Sequence, residues 1–147
     1  MRRLVALLVV AACFSSSPSD VSGPATCDRP ATLSSATGCA LVFGTVTSTR
    51  GDALDGIEGS IRPSPGCVCP TVTLQVDDRG LFSATVYRLA GAVDTARVTV
   101  VVQATAPKYP RHVTGAPYFD TSAVVLRFAG VGAAPEPLEV RLRIPLP

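Results

Sequence analysis

The 147-residue chain has no tryptophan and no asparagine, a single lysine (Lys108) and a single histidine (His112). One histidine cannot supply the clustered imidazoles of a catalytic zinc site, and His-Glu-x-x-His is missing. A Ser-His-Asp arrangement would have to use His112 with Asp94 or Asp120, but no Gly-x-Ser-x-Gly elbow accompanies it. The expectation is a protein without enzymatic activity and without a cofactor. Charged residues make up only 16% of the chain, and no basic run interleaves with aromatics. That composition argues against a nucleic-acid surface. Without tryptophan, a sugar platform would have to be built from Tyr87, Tyr109, Tyr118 and Phe119.

What is present begins with Arg2-Arg3, the apolar run Leu4 to Ala12, and Cys13. The run has nine residues, whereas a membrane-spanning helix needs about 20. A basic start, a short apolar stretch and small residues before Cys13 form an export signal. Val10-Ala11-Ala12-Cys13 resembles the lipobox of bacterial lipoproteins, which implies diacylglyceryl attachment at Cys13. Residues 1–12 are then a signal peptide and residues 13–26 a lipidated cysteine with a Ser/Pro-rich tether. Residues 27–147 are the folded domain. The same resemblance implies sorting by the residue after the lipidated cysteine, where Phe14, in place of an aspartate, implies the outer membrane. Losing Arg2 and Arg3 leaves 11 basic against 11 acidic residues, so the mature chain is formally neutral.

Four further cysteines, Cys27, Cys39, Cys67 and Cys69, read as two disulfides in an exported chain. Extended backbone holds residues i and i+2 nearly 7 Å apart, so Cys67 and Cys69 are each expected to pair with Cys27 or Cys39. The spacing lacks the paired Cys-x2-4-Cys units of a four-cysteine zinc site.

From Ala40 onward, short β segments alternate with turns. Strands are expected over 40–46, 54–61, 72–76, 82–87, 98–104, 122–128 and 138–144. Leu138, Val140, Leu142 and Ile144 alternate with Glu139, Arg141 and Arg143, so one face is core and the other wet. Arg50-Gly51-Asp52 and Asp77-Asp78-Arg79-Gly80 read as turns rather than as an integrin triplet or a calcium loop. The fold class is all-β, a two-sheet sandwich of about seven strands.

Three motifs in order resemble the carboxypeptidase regulatory-like domain, a transthyretin-like β-sandwich. They are Gly44-Thr45-Val46, Gly51 to Gly56 with Leu54, and Asp77-x-x-Gly80-x-Phe82. Ala104 to Tyr109 is similar to a later family segment, with Lys108 replacing a glycine. The resemblance covers about residues 40 to 109 and implies a noncatalytic accessory domain. Residues 62–70, which carry Cys67 and Cys69, are an insertion. Related-looking pilin and adhesin domains carry Lys–Asn isopeptide crosslinks. This chain has no asparagine, and a Lys–Asp version would require Lys108 to point inward.

The expected function is a lipid-anchored cell-envelope domain that docks a protein; the alternative is a carbohydrate-binding module. Its partners are the membrane, through the anchor, and an envelope protein or glycan. The candidate contact surface is Lys108, Tyr109, Arg111, His112, Tyr118 and Phe119, a long aromatic and cationic connection between two strands. Asp52 and Asp78 are expected at the opposite loop end.

Overall fold

The alternating runs fold into eight strands in two four-stranded sheets. The computed structural model describes residues 26–90 and 94–147. Cys13, the signal segment and residues 13–25 of the tether lie outside them. In chain order the strands are β1 (Gly38–Ser48), β2 (Ile57–Pro63), β3 (Val72–Gln75), β4 (Leu81–Arg88), β5 (Thr95–Ala104), β6 (Phe119–Arg127), β7 (Ala129–Gly130) and β8 (Pro137–Ile144). Seven match the strands expected from alternation. The eighth, β7, is two residues pairing with Gly38 and Cys39, too short to leave a periodic signature.

In the first sheet β1 is central, antiparallel to β4 and parallel to β8. The second sheet runs β3-β2-β5-β6, antiparallel throughout. Period-2 alternation sends Val98, Val100, Val102 and Ala104 of β5 into the core, with Val140, Leu142 and Ile144 of β8 facing them. These side chains are fully or nearly fully buried, and each contributes about 1.5–3 kcal/mol for the larger aliphatics.

The resemblance motifs converge on one spot. Gly44 and Phe82 are register partners on β1 and β4. A Cβ on Gly44 would lie 2.8 Å from the Phe82 ring and 1.8 Å from the Val140 carbonyl oxygen of β8. Gly80 has φ +73°, and a Cβ there would sit 2.4 Å from the Val46 carbonyl oxygen. The Val46 N–H donates to the Gly80 carbonyl at 2.7 Å, and the Leu54 N–H to the Val46 carbonyl at 3.3 Å. The turn before β4 is thereby fastened to the end of β1. Asp77 holds that turn, its Oδ1 accepting from the N–H groups of Arg79 at 2.9 Å and Leu81 at 2.8 Å.

The strand directions place three connections at one end: 49–56, 76–80 and 105–118. The described N-terminal segment, residues 64–71, residues 89, 90 and 94, and residues 128–136 lie at the other. Asp52 and Asp78 therefore share an end with the Lys108–Phe119 segment, which corrects the expectation that they oppose it.

Disulfides join Cys27 to Cys39 and Cys67 to Cys69, so the expected cross-pairing does not occur. The 67–69 segment is not extended. It follows the Pro65-Gly66 turn, Gly66 has φ +106°, and the Cys67 and Cys69 Cα atoms come within 5.2 Å. Cys39 points away from the inter-sheet core, opposite to Ala40 and Val42. Its bond to Cys27 brings the N-terminal segment, with buried Ala36, onto that outer face. A loop of this length corresponds to about 3 kcal/mol in the chain-entropy account.

Asp120 spans the open side of the sandwich. Its Oδ1 accepts from its neighbour's N–H at Thr121, and its Oδ2 from the Arg143 N–H of β8, each at 2.8 Å. One carboxylate thus occupies backbone donors of two edge strands, one in each sheet.

Substituting Phe82→Ala should cost about 3–5 kcal/mol in urea-induced unfolding. Gly44→Ala should cost about 1–3 kcal/mol through displacement of Val140 and Phe82. Both changes should move the midpoint with little change in slope.

Candidate functional site

Residues 105–118 form a braced projection rather than a loose loop. Arg111 bridges to Pro117, the His112 N–H donates to the Ala116 carbonyl at 3.0 Å, and the Gly115 N–H donates to the His112 carbonyl at 2.8 Å. Gly115 takes φ +81°, the value the tip requires. The Arg111 guanidinium donates to the carbonyl oxygens of Gly115 at 3.2 Å and Thr105 at 3.1 Å, tying tip to base. His112 and Tyr118 rings lie 3.9 Å apart between centroids, tilted by 34°. Val113, at the tip, is fully exposed.

The six expected contact residues divide by what they touch. Lys108 forms an ion pair with Asp55, and the Tyr109 hydroxyl donates to the Asp55 carbonyl. Tyr109 also packs on the core, so this pair anchors the projection's base to the 49–56 connection. Arg111 is the internal brace. His112 and Tyr118 form the stacked pair on one flank. Phe119 leaves the projection altogether and stands 57% exposed at the start of β6. The presented groups are therefore His112, Phe119 and Val113, the last of which carried no sequence signal, while Tyr118 is partly buried against the core beneath His112.

Asp55 is the acceptor that sequence reasoning missed, because it lies 53 residues from Lys108. The hydrogen bond from Lys108 holds the Asp55 carboxyl below its usual 3.8. The same bond raises the Lys108 ammonium above its usual 10.5. Burial is the main influence raising the Tyr109 phenol. Amide formation needs a neutral amine and a neutral acid, and the shifts keep both groups charged. Each side chain is about half exposed, 50% for Lys108 and 49% for Asp55, so Lys108 does not point inward.

A second surface lies on the outer face of the β3-β2-β5-β6 sheet. Gln75, Glu58, Gln103 and Phe119 are successive register partners across four strands. The next row is Thr73, Ser60, Val101 and Thr121. Small Ser60 and Thr73 sit between longer neighbours and leave a shallow trough of about 410 Å³, rimmed by Glu58, Arg62, Gln75 and Gln103. Gln103 Nε2 donates to Glu58 Oε2 at 3.4 Å. Alternation alone marks these residues as outward, but only the register lines them up.

At the opposite end, Arg88 is buried. Its Nε donates to Thr37 Oγ1 at 3.1 Å, its Nη1 lies 3.5 Å from Asp94 Oδ1, and its guanidinium carbon is 5.6 Å from the Phe128 ring centroid. It ties the N-terminal segment to β4 and the β4–β5 connection. Among the described residues no group of three or more His, Cys, Asp or Glu side chains could hold a metal ion. Nor is any helix among them long and apolar enough to cross a membrane. No protein-family model matches the chain, and no curated protein matches it.

The Asp55–Lys108 pair generates a pH window. Asp55, with a lowered value, stabilises the fold above about 3.8, and this contribution is lost as pH falls through its folded value. Lys108, with a raised value, contributes below about 10.5, and this is lost as pH rises through its folded value. Protection of the amides over residues 105–118, with exchange corrected for its intrinsic pH dependence, should therefore be greatest between those limits, lower in acid, and sensitive to salt because the pair is exposed. Intact mass of the reduced protein should show no loss of water, the mark of a Lys108–Asp55 amide.

Proposed function

We propose that this chain is a noncatalytic, lipid-anchored envelope domain that docks a partner protein through the end bearing residues 105–118. The observation carrying this reading is the placement of its two ends. The described chain starts at the end where Cys27 exchanges backbone hydrogen bonds with residues 132 and 133. The braced projection stands at the other end, with Val113 fully exposed and His112 stacked on Tyr118. A lipid at Cys13 would hold the first end toward the bilayer and turn the projection outward. Two or three acyl chains suffice for stable anchoring at about 0.8 kcal/mol per buried methylene. A rigid frame that presents an ordered tip loses little conformational entropy on binding.

The anchor is tested by metabolic palmitate labelling. Wild type should be labelled and sediment with membranes, and Cys13→Ser should lose both properties. Label retained on Cys13→Ser would remove the anchor from the proposal. Docking is tested by a photo-crosslinking residue at Val113 against one at Glu136 on the opposite end. Val113 should capture a discrete envelope protein, and His112→Ala with Tyr118→Ala should weaken that capture without altering the circular dichroism. Equal capture from both ends would discard the projection as the site.

A second reading, a glycan-binding module, is favoured by the sheet-face trough. Planar amides, a carboxylate and an aromatic edge in one row are suited to sugar hydroxyls and ring faces. Phe119 is the one aromatic on that row. Co-sedimentation with insoluble cell-wall polysaccharide, lost in Phe119→Ala with Gln103→Ala, would favour this reading over protein docking.

A further inference from the structure

The two disulfides differ in nearly everything that governs exchange. Cys27 and Cys39 are 1% and 0% exposed, and they close a loop with a sequence separation of 12. Cys67 and Cys69 are only partly buried, on a surface connection, with a sequence separation of 2. Val68 between them is 53% exposed. The stabilisation a disulfide supplies by restricting the unfolded chain grows with loop length, so the three-residue loop gains least. Exchange also requires a thiolate to reach a sulfur, which full burial denies to Cys27 and Cys39; Cys67 and Cys69 pack against the core but keep part of their surface exposed.

The surrounding segment does not depend on the Cys67–Cys69 bond for its attachment. The Leu89 N–H donates to the Val68 carbonyl at 2.7 Å, Val68 bridges to Ala90, and the Cys67 N–H donates to the Ser64 carbonyl at 3.2 Å. None of these backbone contacts runs through the sulfur–sulfur bond. Cys67 and Arg88 also line one small recess, with Val68 and Phe128 beside them.

We propose that Cys67–Cys69 is a thiol–disulfide exchange site for dithiols, set in a domain whose fold is held by Cys27–Cys39. One thiolate of the dithiol attacks Sγ of Cys67 or Cys69, forming a mixed disulfide and releasing the other cysteine as a thiolate. The second thiol of the reductant then attacks the mixed disulfide and leaves as part of a cyclic disulfide. Two electrons and two protons pass from the dithiol to Cys67 and Cys69. The reverse reaction oxidises a partner dithiol and restores the bridge.

The test is graded reduction of the oxidised, natively folded mature protein with dithiothreitol, followed by alkylation and peptide mapping. Cys67 and Cys69 should be labelled together at a reductant concentration at least about tenfold below that needed for Cys27 and Cys39. Circular dichroism should stay native through the first step. The variant Cys67→Ser with Cys69→Ser should fold and show only the second step. Simultaneous labelling of all four cysteines would overturn the proposal. So would earlier labelling of Cys27 and Cys39, unfolding in the first step, or free Cys67 and Cys69 before any reductant is added.

Discussion

The close approach of β1 to both of its neighbours is the constraint on which the sandwich depends. Only a hydrogen at Gly44 leaves room for the Val140 carbonyl on one side and the Phe82 ring on the other. That approach sets the register of β4 and β8 against β1, and so decides which face of each is apolar. Phe82, Val140 and Leu142 enter the core because of it. Gly80 repeats the requirement one turn away, where its carbonyl and its missing side chain fasten the β3–β4 turn to Val46. Three motifs scattered over about forty residues are thus a single packing unit. Its parts are spaced by the lengths of strands and turns.

The same frame makes the two ends of the molecule unlike. At one end, ion pairing of Lys108 with Asp55 and the hydroxyl of Tyr109 fix a projecting segment to the neighbouring connection. At the other end, Arg88 and the Cys27–Cys39 disulfide gather the chain's early residues and Asp94, while the Leu89 N–H, donating to the Val68 carbonyl, holds the 64–71 connection. The first end presents side chains; the second fastens backbone.

The strands were legible because period-2 burial writes itself into the sequence, most plainly in Leu138 to Ile144. Turns were legible where glycine supplies a positive φ, as at Gly51 and Gly80. The disulfide pairing was not, because it turned on whether Val68 is extended or bent, and a local bend leaves no periodic trace. Which of Lys108, Tyr109, Arg111, His112, Tyr118 and Phe119 face outward was also hidden. Their partners, Asp55 and Thr105 among them, are supplied by the fold, and Asp55 is remote in sequence. The aligned row of Gln75, Glu58, Gln103 and Phe119 needed the register of three strand pairs, which no single segment contains.

Asp120 bears on how such molecules behave in a crowd. An open sandwich edge is a template, and identical domains packed side by side invite one another's strands to add on. Here a single inward carboxylate already holds the amide protons of Thr121 and Arg143, on two different sheets. An approaching strand would have to displace that charge and leave it dry before making its first bond. The growth of a stack is thus opposed at its first step, by electrostatics rather than by bulk.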